Sequence, residues 1–290
     1  MPARLRRATH SRWTRVLAVL VALAVPALTL PTLPHVTLWP VLLGLAPWVV
    51  GKYVLCPLRW HALSHSGRSR RWHLRAYAES ELLGLLTPGH VGADAWRVKR
   101  LNGVGMHTPT ALAEVALDRL VGALGLALFV AVAGAALPTR MLLAALALAV
   151  AGLVAVLVLR RVRPDLVPRR ELPSASTVVH GVVLSLGYQL TIGLLLFSTV
   201  SATGHALSPL ALLGAFGASQ LAGAVPGPNG ASPRDGALVA ALMGLGLPWQ
   251  AALGAVTLMT SVAWLPALLL GGTSLVLARR AAGGARTALI

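Results

Sequence analysis

The sequence is poor in cysteine, acidic residues and aromatic residues, and each shortage excludes a class of protein. A single cysteine, Cys56, allows no internal disulfide and argues against a cysteine-based metal site. Phenylalanine and tyrosine occur three times each, whereas an outer-membrane β-barrel needs aromatic girdles at both membrane interfaces. The chain contains no HExxH, GxGxxG, Walker loop or Ser-His-Asp set. We therefore expect no catalysis, cofactor or metal.

Apolar residues dominate the composition. They make up 56% of the 290 residues, above the roughly 45–50% that is usual in soluble domains. Leucine, alanine, valine and glycine supply most of this share, and such small or aliphatic side chains let helices pack closely in a membrane. The composition predicts an all-α integral membrane protein.

The net charge of +17 is distributed in short basic segments between the apolar runs. This is the positive-inside pattern, and it suits contact with anionic lipid headgroups rather than nucleic acid. All but two of the 25 basic residues are arginine, which indicates GC-rich coding and hence a bacterium. We expect a multi-pass protein of the inner (plasma) membrane. The cytoplasmic segments would be the N-terminus 1–15, 59–75, 97–100, 160–170 and the tail 281–290.

Six apolar runs approach the roughly 20 residues that a membrane-spanning helix needs. A signal peptide is the other interpretation of the first run, but no convincing small-x-small cleavage site follows it. The six runs predict one polytopic domain over 16–280 with both termini in the cytoplasm. They cover 16–33, 38–56, 109–136, 141–159, 176–200 and 250–277.

Two further apolar stretches are interrupted by proline and glycine. Ala76–Thr87 is too short to span and ends at Pro88-Gly89, while 209–247 is broken at Pro226–Gly230. Non-helical backbone at membrane depth is tolerated where it lines a cavity or is buried in protein. We predict two re-entrant hairpins, 76–101 entering from the cytoplasm and 209–247 from outside, as an inverted repeat would produce. The alternative is eight full crossings.

Carboxylates occur within these apolar stretches. A carboxylate in or near hydrocarbon costs several kcal/mol unless it is paired or hydrated, so it usually marks a pathway, a relay or a ligand site. Six of the eight acidic residues have such positions: Glu79, Glu81, Asp94, Glu114, Asp118 and Asp235.

The first motif follows the first break. Pro88, Gly89 and Gly92 end one helix and let the backbone turn or approach a ligand. Asp94 is placed to N-cap the next helix. Arg97, three residues later, lies on the same face of that helix as Asp94. The motif is either a capped, ion-paired turn or an anion site made of backbone N–H groups and a guanidinium.

The second motif places two carboxylates on one helix face. Glu114 and Asp118 are four residues apart, so they repel each other unless one is protonated or a cation lies between them. Arg119 can pair with Asp118 or reach another helix. The alternatives are a salt bridge between helices and a proton-linked or headgroup-linked role.

The third motif repeats the ingredients of the first. Pro226 and Gly230 belong to a helix-breaking loop, and Arg234 and Asp235 open the following helix. Two such loops in one small membrane protein favour a shared function over two coincidences.

These three motifs, in this order, resemble the flippase-like family named for the transmembrane region of lysylphosphatidylglycerol synthases. The resemblance covers most of 40–280. This chain departs from the family in two charged positions: Asp replaces Glu in the second and third motifs, and an arginine often found just before Trp264-Leu265-Pro266 is absent. Asn229, Ser232 and Pro233 also replace family residues. The matching residues are Pro88-Gly89, Gly92-Ala93-Asp94, Arg97, Asp118-Arg119 and Pro226–Asp235.

The resemblance implies binding or movement of a charged lipid, without the family's aminoacyl transfer, which belongs to a separate soluble domain. We expect an anionic phospholipid or polyprenyl-phosphate headgroup between the two hairpins. Arginines at 97, 119 and 234 would hold phosphate, aspartates at 94, 118 and 235 would orient them, and Glu114 with Asp118 would be proton-linked. The first rival is a non-transporting accessory subunit of a membrane glycosyltransferase or lipid-modifying enzyme. The others are an enzyme acting on lipid phosphate and a transporter of a soluble anion.

Overall fold

The computed structural model describes residues 37–85, 87, 90–133, 173–223 and 232–278, with isolated residues at 27, 147, 154, 158, 161 and 162. Within the described segments the regular structure is helical and includes eight helices. They are α1 (Leu38–Leu63), α2 (Arg70–Leu85), α3 (Val91–Asn102), α4 (Thr108–Ala133), α5 (Ala175–Ala202), α6 (Pro209–Ala222), α7 (Pro233–Gly244) and α8 (Trp249–Ala278).

Four of these helices, α1, α4, α5 and α8, are long and apolar enough to cross a membrane. The shortest have 26 residues, about 39 Å at 1.5 Å per residue, against a hydrocarbon core of about 30 Å. This confirms, for the described residues, an all-helical protein with the composition of a membrane protein. The predicted spans at 16–33 and 141–159 lie outside the described residues, so the total number of crossings stays a prediction.

The other four helices form two pairs, α2 with α3 and α6 with α7. They have 12 to 16 residues each, fewer than the roughly 20 that span a bilayer. In the first pair, Trp96 donates a hydrogen bond to Glu79, and Gly84 lies against His90 and Ala93. The two helices are therefore antiparallel, in agreement with the predicted hairpin. The breaks at 88–89 and 224–231 lie outside the described residues.

Helix α5 lies at the centre of the described bundle and packs against α1, α4, α6 and α8. Its Leu195 and Leu196 are fully buried in a core that includes Phe216 and Leu242. Glycines let neighbouring helices approach α5 closely. Gly44 of α1 lies against Ser198, for example, which is how small residues promote helix packing in membranes.

The Gly44 contact predicts a stability difference between two glycine variants. A Cβ at Gly44 would lie 2.6 Å from the Ser198 Cβ and 3.1 Å from the Leu194 carbonyl oxygen, so Gly44→Ala should destabilise the fold by roughly 1–3 kcal/mol through overpacking. A Cβ at Gly272 would meet nothing within 4 Å, so Gly272→Ala should be neutral or slightly stabilising. Thermal unfolding of both variants in detergent measures the difference, and equal melting temperatures would contradict the close packing of α1 on α5.

Two of the long helices contain a π-helical segment, Gly51–Leu55 in α1 and Ala267–Gly271 in α8. In α1, Pro57 has no N–H to donate to the carbonyl four residues earlier, and the Cys56 N–H bonds Gly51, five residues back. Such π-bulges inside α-helices occur often at functional sites. Both segments pack against α2.

Candidate functional site

A buried ion-pair network joins α1, α3 and α4. Asp118, which is fully buried, accepts hydrogen bonds from Arg59 Nε at 2.8 Å and Nη2 at 3.2 Å. Its Oδ2 also accepts from Arg97 Nη2 at 2.7 Å. Arg59 extends the network to α5, because its Nη1 donates to Ser185 Oγ at 2.9 Å. The sequence predicts a basic cytoplasmic segment over 59–75, but α1 continues to Leu63 and Arg59 is buried.

Arg97 is enclosed by protein and has no open face for a lipid headgroup. Only 2% of the residue is exposed, and its guanidinium lies 4.3 Å from the centroid of the Trp60 ring. A cation over an indole face gains further electrostatic stabilisation. The geometry therefore favours a structural function for Arg97 over direct phosphate binding.

Asp94 and Arg119 form a second, more exposed pair. Arg119 donates to Asp94 Oδ1 from Nη2 at 2.9 Å and from Nε at 3.1 Å. The side chains are 35% and 49% exposed. The expectation that Asp94 caps α3 is wrong, because the N-cap residue is His90, in the left-handed region at φ 59°. The Gly92 N–H donates to Thr87 Oγ1 at 2.8 Å.

Glu114 and Asp118 share a helix face as predicted, but they bind different donors. Glu114 accepts hydrogen bonds from Trp60 Nε1 at 3.2 Å, Ser64 Oγ at 2.6 Å and the His65 N–H at 3.2 Å. Because each carboxylate has its own set of donors, neither a shared cation nor a shared proton is needed to keep them on one face. Glu114 anchors the end of α1 and the turn that follows it.

A buried histidine next to this network gives stability a pH dependence. His73 is fully buried, with its ring 4.8 Å from that of Trp60 and 4.9 Å from that of His61. Burial lowers the pKa of His73 to about 4. Because unfolded histidine takes up its proton near pH 6.5, the free energy of unfolding should fall by up to about 3 kcal/mol as the pH drops from 6.5 to 4.

Melting temperatures measured in detergent between pH 7.5 and 4.5 test this dependence. The fall should be larger in the unmodified protein than in His73→Phe, which keeps an aromatic ring and cannot titrate. His107→Phe, at an exposed position, is the control and should behave like the unmodified protein. Parallel curves for all three would show that His73 does not control the acid response.

A cavity of about 110 Å³ lies between three of the long helices, α1, α5 and α8, and the two pairs of short helices. Residues from α1, α2, α5, α6, α7 and α8 line it, together with His90 at the start of α3. Four of its side chains carry or can carry charge: Lys52, Glu81, His90 and Arg234. The aromatic side chains around it are Trp48, Tyr53, Tyr188, Phe216 and Trp264.

Lys52 and Glu81 form a close ion pair at this cavity. The distance from Lys52 Nζ to Glu81 Oε2 is 2.8 Å, and His90 Nε2 lies 3.7 Å from the same oxygen. The ammonium group is also 5.5 Å from the ring centroid of Tyr188 and 5.9 Å from that of Tyr77. Lys52 belongs to the π-helical segment of α1, which links the irregularity of that helix to the cavity.

Arg234 and Asp235 open α7, as the sequence predicts. Ser232 and Asp235 form a capping box, with the Asp235 N–H donating to Ser232 Oγ and the Ser232 N–H donating to Asp235 Oδ2. Arg234 lies beside Asp235, with 3.5 Å between Nη2 and Oδ1, and its side chain is 41% exposed. Asp235 thus shapes the helix start, and Arg234 faces the cavity.

The structure divides the predicted site residues into two groups. The aspartates and arginines at 94, 97, 118 and 119 belong to the ion-pair networks, whereas Arg234 lines the cavity. Pro88, Gly89, Pro226 and Gly230 lie outside the described residues. Lys52 lines the cavity but belongs to none of the three motifs, although it is the only charged residue in the apolar run 38–56.

Compared with known proteins, the chain matches no family model and no curated protein. The resemblance to the flippase-like family therefore remains an interpretation of three motifs.

Proposed function

We propose that the chain is a multi-pass membrane protein that binds the anionic headgroup of a lipid in the cavity between its hairpins and moves it across the bilayer. The headgroup belongs to an anionic phospholipid or to a polyprenyl phosphate. The proposal places the chain among diverged members of the flippase-like family, in a bacterial plasma membrane with its basic segments in the cytoplasm. The observation that carries it is the cavity whose lining combines charged residues of α1, α2 and α7.

Charge and size both support an anionic headgroup. The lining contains two permanent cations, Lys52 and Arg234, and one carboxylate, Glu81. Arginine forms forked, charge-assisted hydrogen bonds to phosphate, and lysine adds a point charge. At about 110 Å³ the cavity is smaller than the roughly 300–1,000 Å³ of pockets that enclose whole drug-sized ligands. A headgroup enters such a space while its acyl or prenyl chain remains among the apolar helix faces.

The ion-pair network supports the accessory-subunit alternative. In that alternative the charged residues serve assembly, and Arg59, Arg97 and Asp118 do hold α1, α3 and α4 together. The network therefore fits either function. The charged cavity is the feature that favours lipid translocation over the accessory-subunit alternative.

Headgroup accessibility in proteoliposomes tests the proposal. The pure protein is reconstituted with a fluorescent anionic phospholipid or a fluorescent polyprenyl-phosphate analogue, and a membrane-impermeant quencher is added outside. Protein-dependent loss of the protected fluorescence is expected for at least one lipid. Arg234→Ala should slow it roughly tenfold or more, the effect of losing a hydrogen bond between charged groups.

Arg75→Ala is the matched control, because Arg75 is exposed on α2 and does not line the cavity. It should flip lipid at the unmodified rate. If Arg234→Ala also flips at that rate, the cavity is not on the translocation path. If folded protein flips neither lipid, the accessory-subunit function replaces translocation, and a membrane glycosyltransferase or lipid-modifying enzyme should copurify with the chain.

A further inference from the structure

Glu79 is a buried carboxylate that belongs neither to the Asp118 network nor to the cavity lining. It lies on α2 and accepts a hydrogen bond from Trp96 Nε1 at 3.0 Å. Its Oε2 is also 3.4 Å from Arg100 Nε, so both of these contacts are with α3, the other helix of the same hairpin. The second oxygen, Oε1, accepts a hydrogen bond from Ser274 Oγ of α8 at 2.8 Å. Glu79 therefore bonds across the boundary between the hairpin and α8.

Small residues let α2 and α8 approach closely at this boundary. Helix α2 packs against the π-helical segment Ala267–Gly271 of α8. Gly271 is buried, and a Cβ on it would lie 2.5 Å from the Ala78 carbonyl oxygen and 2.8 Å from the Leu82 Cβ. Because Ala267, at the start of the same segment, lines the cavity, the boundary adjoins the cavity. This boundary, the α2–α8 seam, comprises Ala78, Glu79, Leu82, Gly271 and Ser274.

The end of α8 is loosely packed within the described part of the protein. None of the described residues 272–278 is buried, and Ser274 ties this segment to Glu79. The backbone before the segment is irregular, because Pro266 has no N–H to donate and a π-helical stretch follows it. Helices bend at proline and at π-bulges, so the end of α8 can turn away from α2. Glu79 would then lose one donor and keep the two on α3.

A lipid needs a gap between helices to bring its headgroup into the cavity, because its acyl or prenyl chain stays in the hydrocarbon. The seam adjoins the cavity and lies beside exposed apolar side chains of α8, Leu268 and Leu269. We propose that the α2–α8 seam is the lateral opening through which a lipid reaches the cavity, and that the bond between Glu79 and Ser274 holds it shut. This inference rests on the proposed headgroup site, but opening of the seam can be measured without transport.

Labelling of a seam cysteine with N-ethylmaleimide, followed by mass spectrometry, measures this opening. The protein carries Ala78→Cys, and the native Cys56, buried on α1, reports unfolding in the same molecule. Adding Ser274→Ala should raise the labelling rate at position 78 at least roughly tenfold, the effect of losing a hydrogen bond to a charged group, without a change at Cys56. Leu82→Cys replaces Ala78→Cys if that variant does not fold.

Thr273→Ala is the matched control for Ser274→Ala. The Thr273 hydroxyl donates to carbonyl oxygens of α8 itself, so its loss should leave both labelling rates unchanged. An unchanged rate at position 78 in Ser274→Ala, or an equal rise at Cys56, would overturn the latch.

A disulfide across the seam tests whether lipid passes there. Leu82→Cys with Gly271→Cys, combined with Cys56→Ala, places two Cβ atoms 2.8 Å apart, so a small separation of the helices reaches the roughly 3.5–4.5 Å of a disulfide. Oxidation should abolish most flipping in proteoliposomes, and reduction should restore it. Equal rates in both states would place lipid entry elsewhere and leave the headgroup site standing. Absence of flipping by the unmodified protein would instead remove translocation, and the labelling rates would then decide whether the seam opens.

Discussion

Asp118→Asn should leave little stably folded protein. Asp118 is fully buried and compensates two guanidinium groups, those of Arg59 and Arg97, which are themselves buried. Removing one partner of a buried ion pair costs about 3–5 kcal/mol because the remaining charge is left unpaired. With a total stability of about 5–15 kcal/mol for a typical protein, we expect a severe loss of folded yield and a large drop in melting temperature.

Asp94→Asn is the matched control for this change. It makes the same chemical substitution in a pair whose side chains are 35% and 49% exposed, where an ion pair contributes about 0–1 kcal/mol. Gel-filtration profiles and thermal unfolding in detergent compare the two variants directly. Equal stability of Asp118→Asn and Asp94→Asn would show that the buried network does not hold α1, α3 and α4 together.

Lys52→Met should abolish most headgroup binding and movement. Lys52 supplies one of the two permanent cations of the cavity lining and neutralises Glu81 at 2.8 Å. Its loss both removes a phosphate ligand and leaves a carboxylate facing the incoming anion. We expect the flipping rate and the affinity for phosphate-bearing fragments to fall at least roughly tenfold.

The chain offers a close control, because Lys99 is the only other lysine. It is exposed on α3, near the ring of Trp96, and Lys99→Met should retain both binding and flipping.

The double variant Lys52→Met with Glu81→Gln separates folding from function, since removing both members of a buried pair restores charge balance. It should recover stability without recovering full anion affinity. Full flipping activity in Lys52→Met would exclude this lysine from the site.

The long helices are predictable from the sequence because length and apolarity alone decide whether a segment can span a membrane. The runs at 38–56, 109–136, 176–200 and 250–277 all correspond to helices of the structure. The hairpins follow from proline and glycine, which end helices by local chemistry. The length of an apolar run and the position of a helix break both depend on residues that are adjacent in the sequence. The sequence alone is therefore enough to predict them.

The ion-pair partners are not predictable in this way. Sequence spacing suggests that Asp94 pairs with Arg97 within one helix, and it leaves Arg119 to pair with Asp118 or to reach another helix. In the structure the partners are exchanged between α3 and α4. Arg97 lies 2.7 Å from Asp118 and Arg119 lies 2.9 Å from Asp94, whereas the closest Arg97–Asp94 distance is 3.9 Å. Only the packing of one helix on another decides this choice.

The positions of Arg59 and Lys52 depend on the irregular part of α1. Arg59 is expected in the cytoplasmic segment 59–75, but the π-helical segment before Pro57 lets α1 continue to Leu63, and Arg59 is buried. The same segment carries Lys52 into the cavity. An irregular helix of this kind leaves no periodic signal in the sequence, and the place of Lys52 in the cavity lining depends on its tertiary neighbours.

Photo-crosslinking with an anionic phospholipid that carries the reactive group in its headgroup tests the central claim most directly. The protein is reconstituted, irradiated and digested, and the labelled residues are located by mass spectrometry. We predict labels on the cavity side of α8, at Met259, Thr260 or Ala263, and their loss in Lys52→Met combined with Glu81→Gln. Labels confined to the exposed arginines at 68–75, unchanged in the double variant, would place the headgroup at the basic surface and contradict a site between the hairpins.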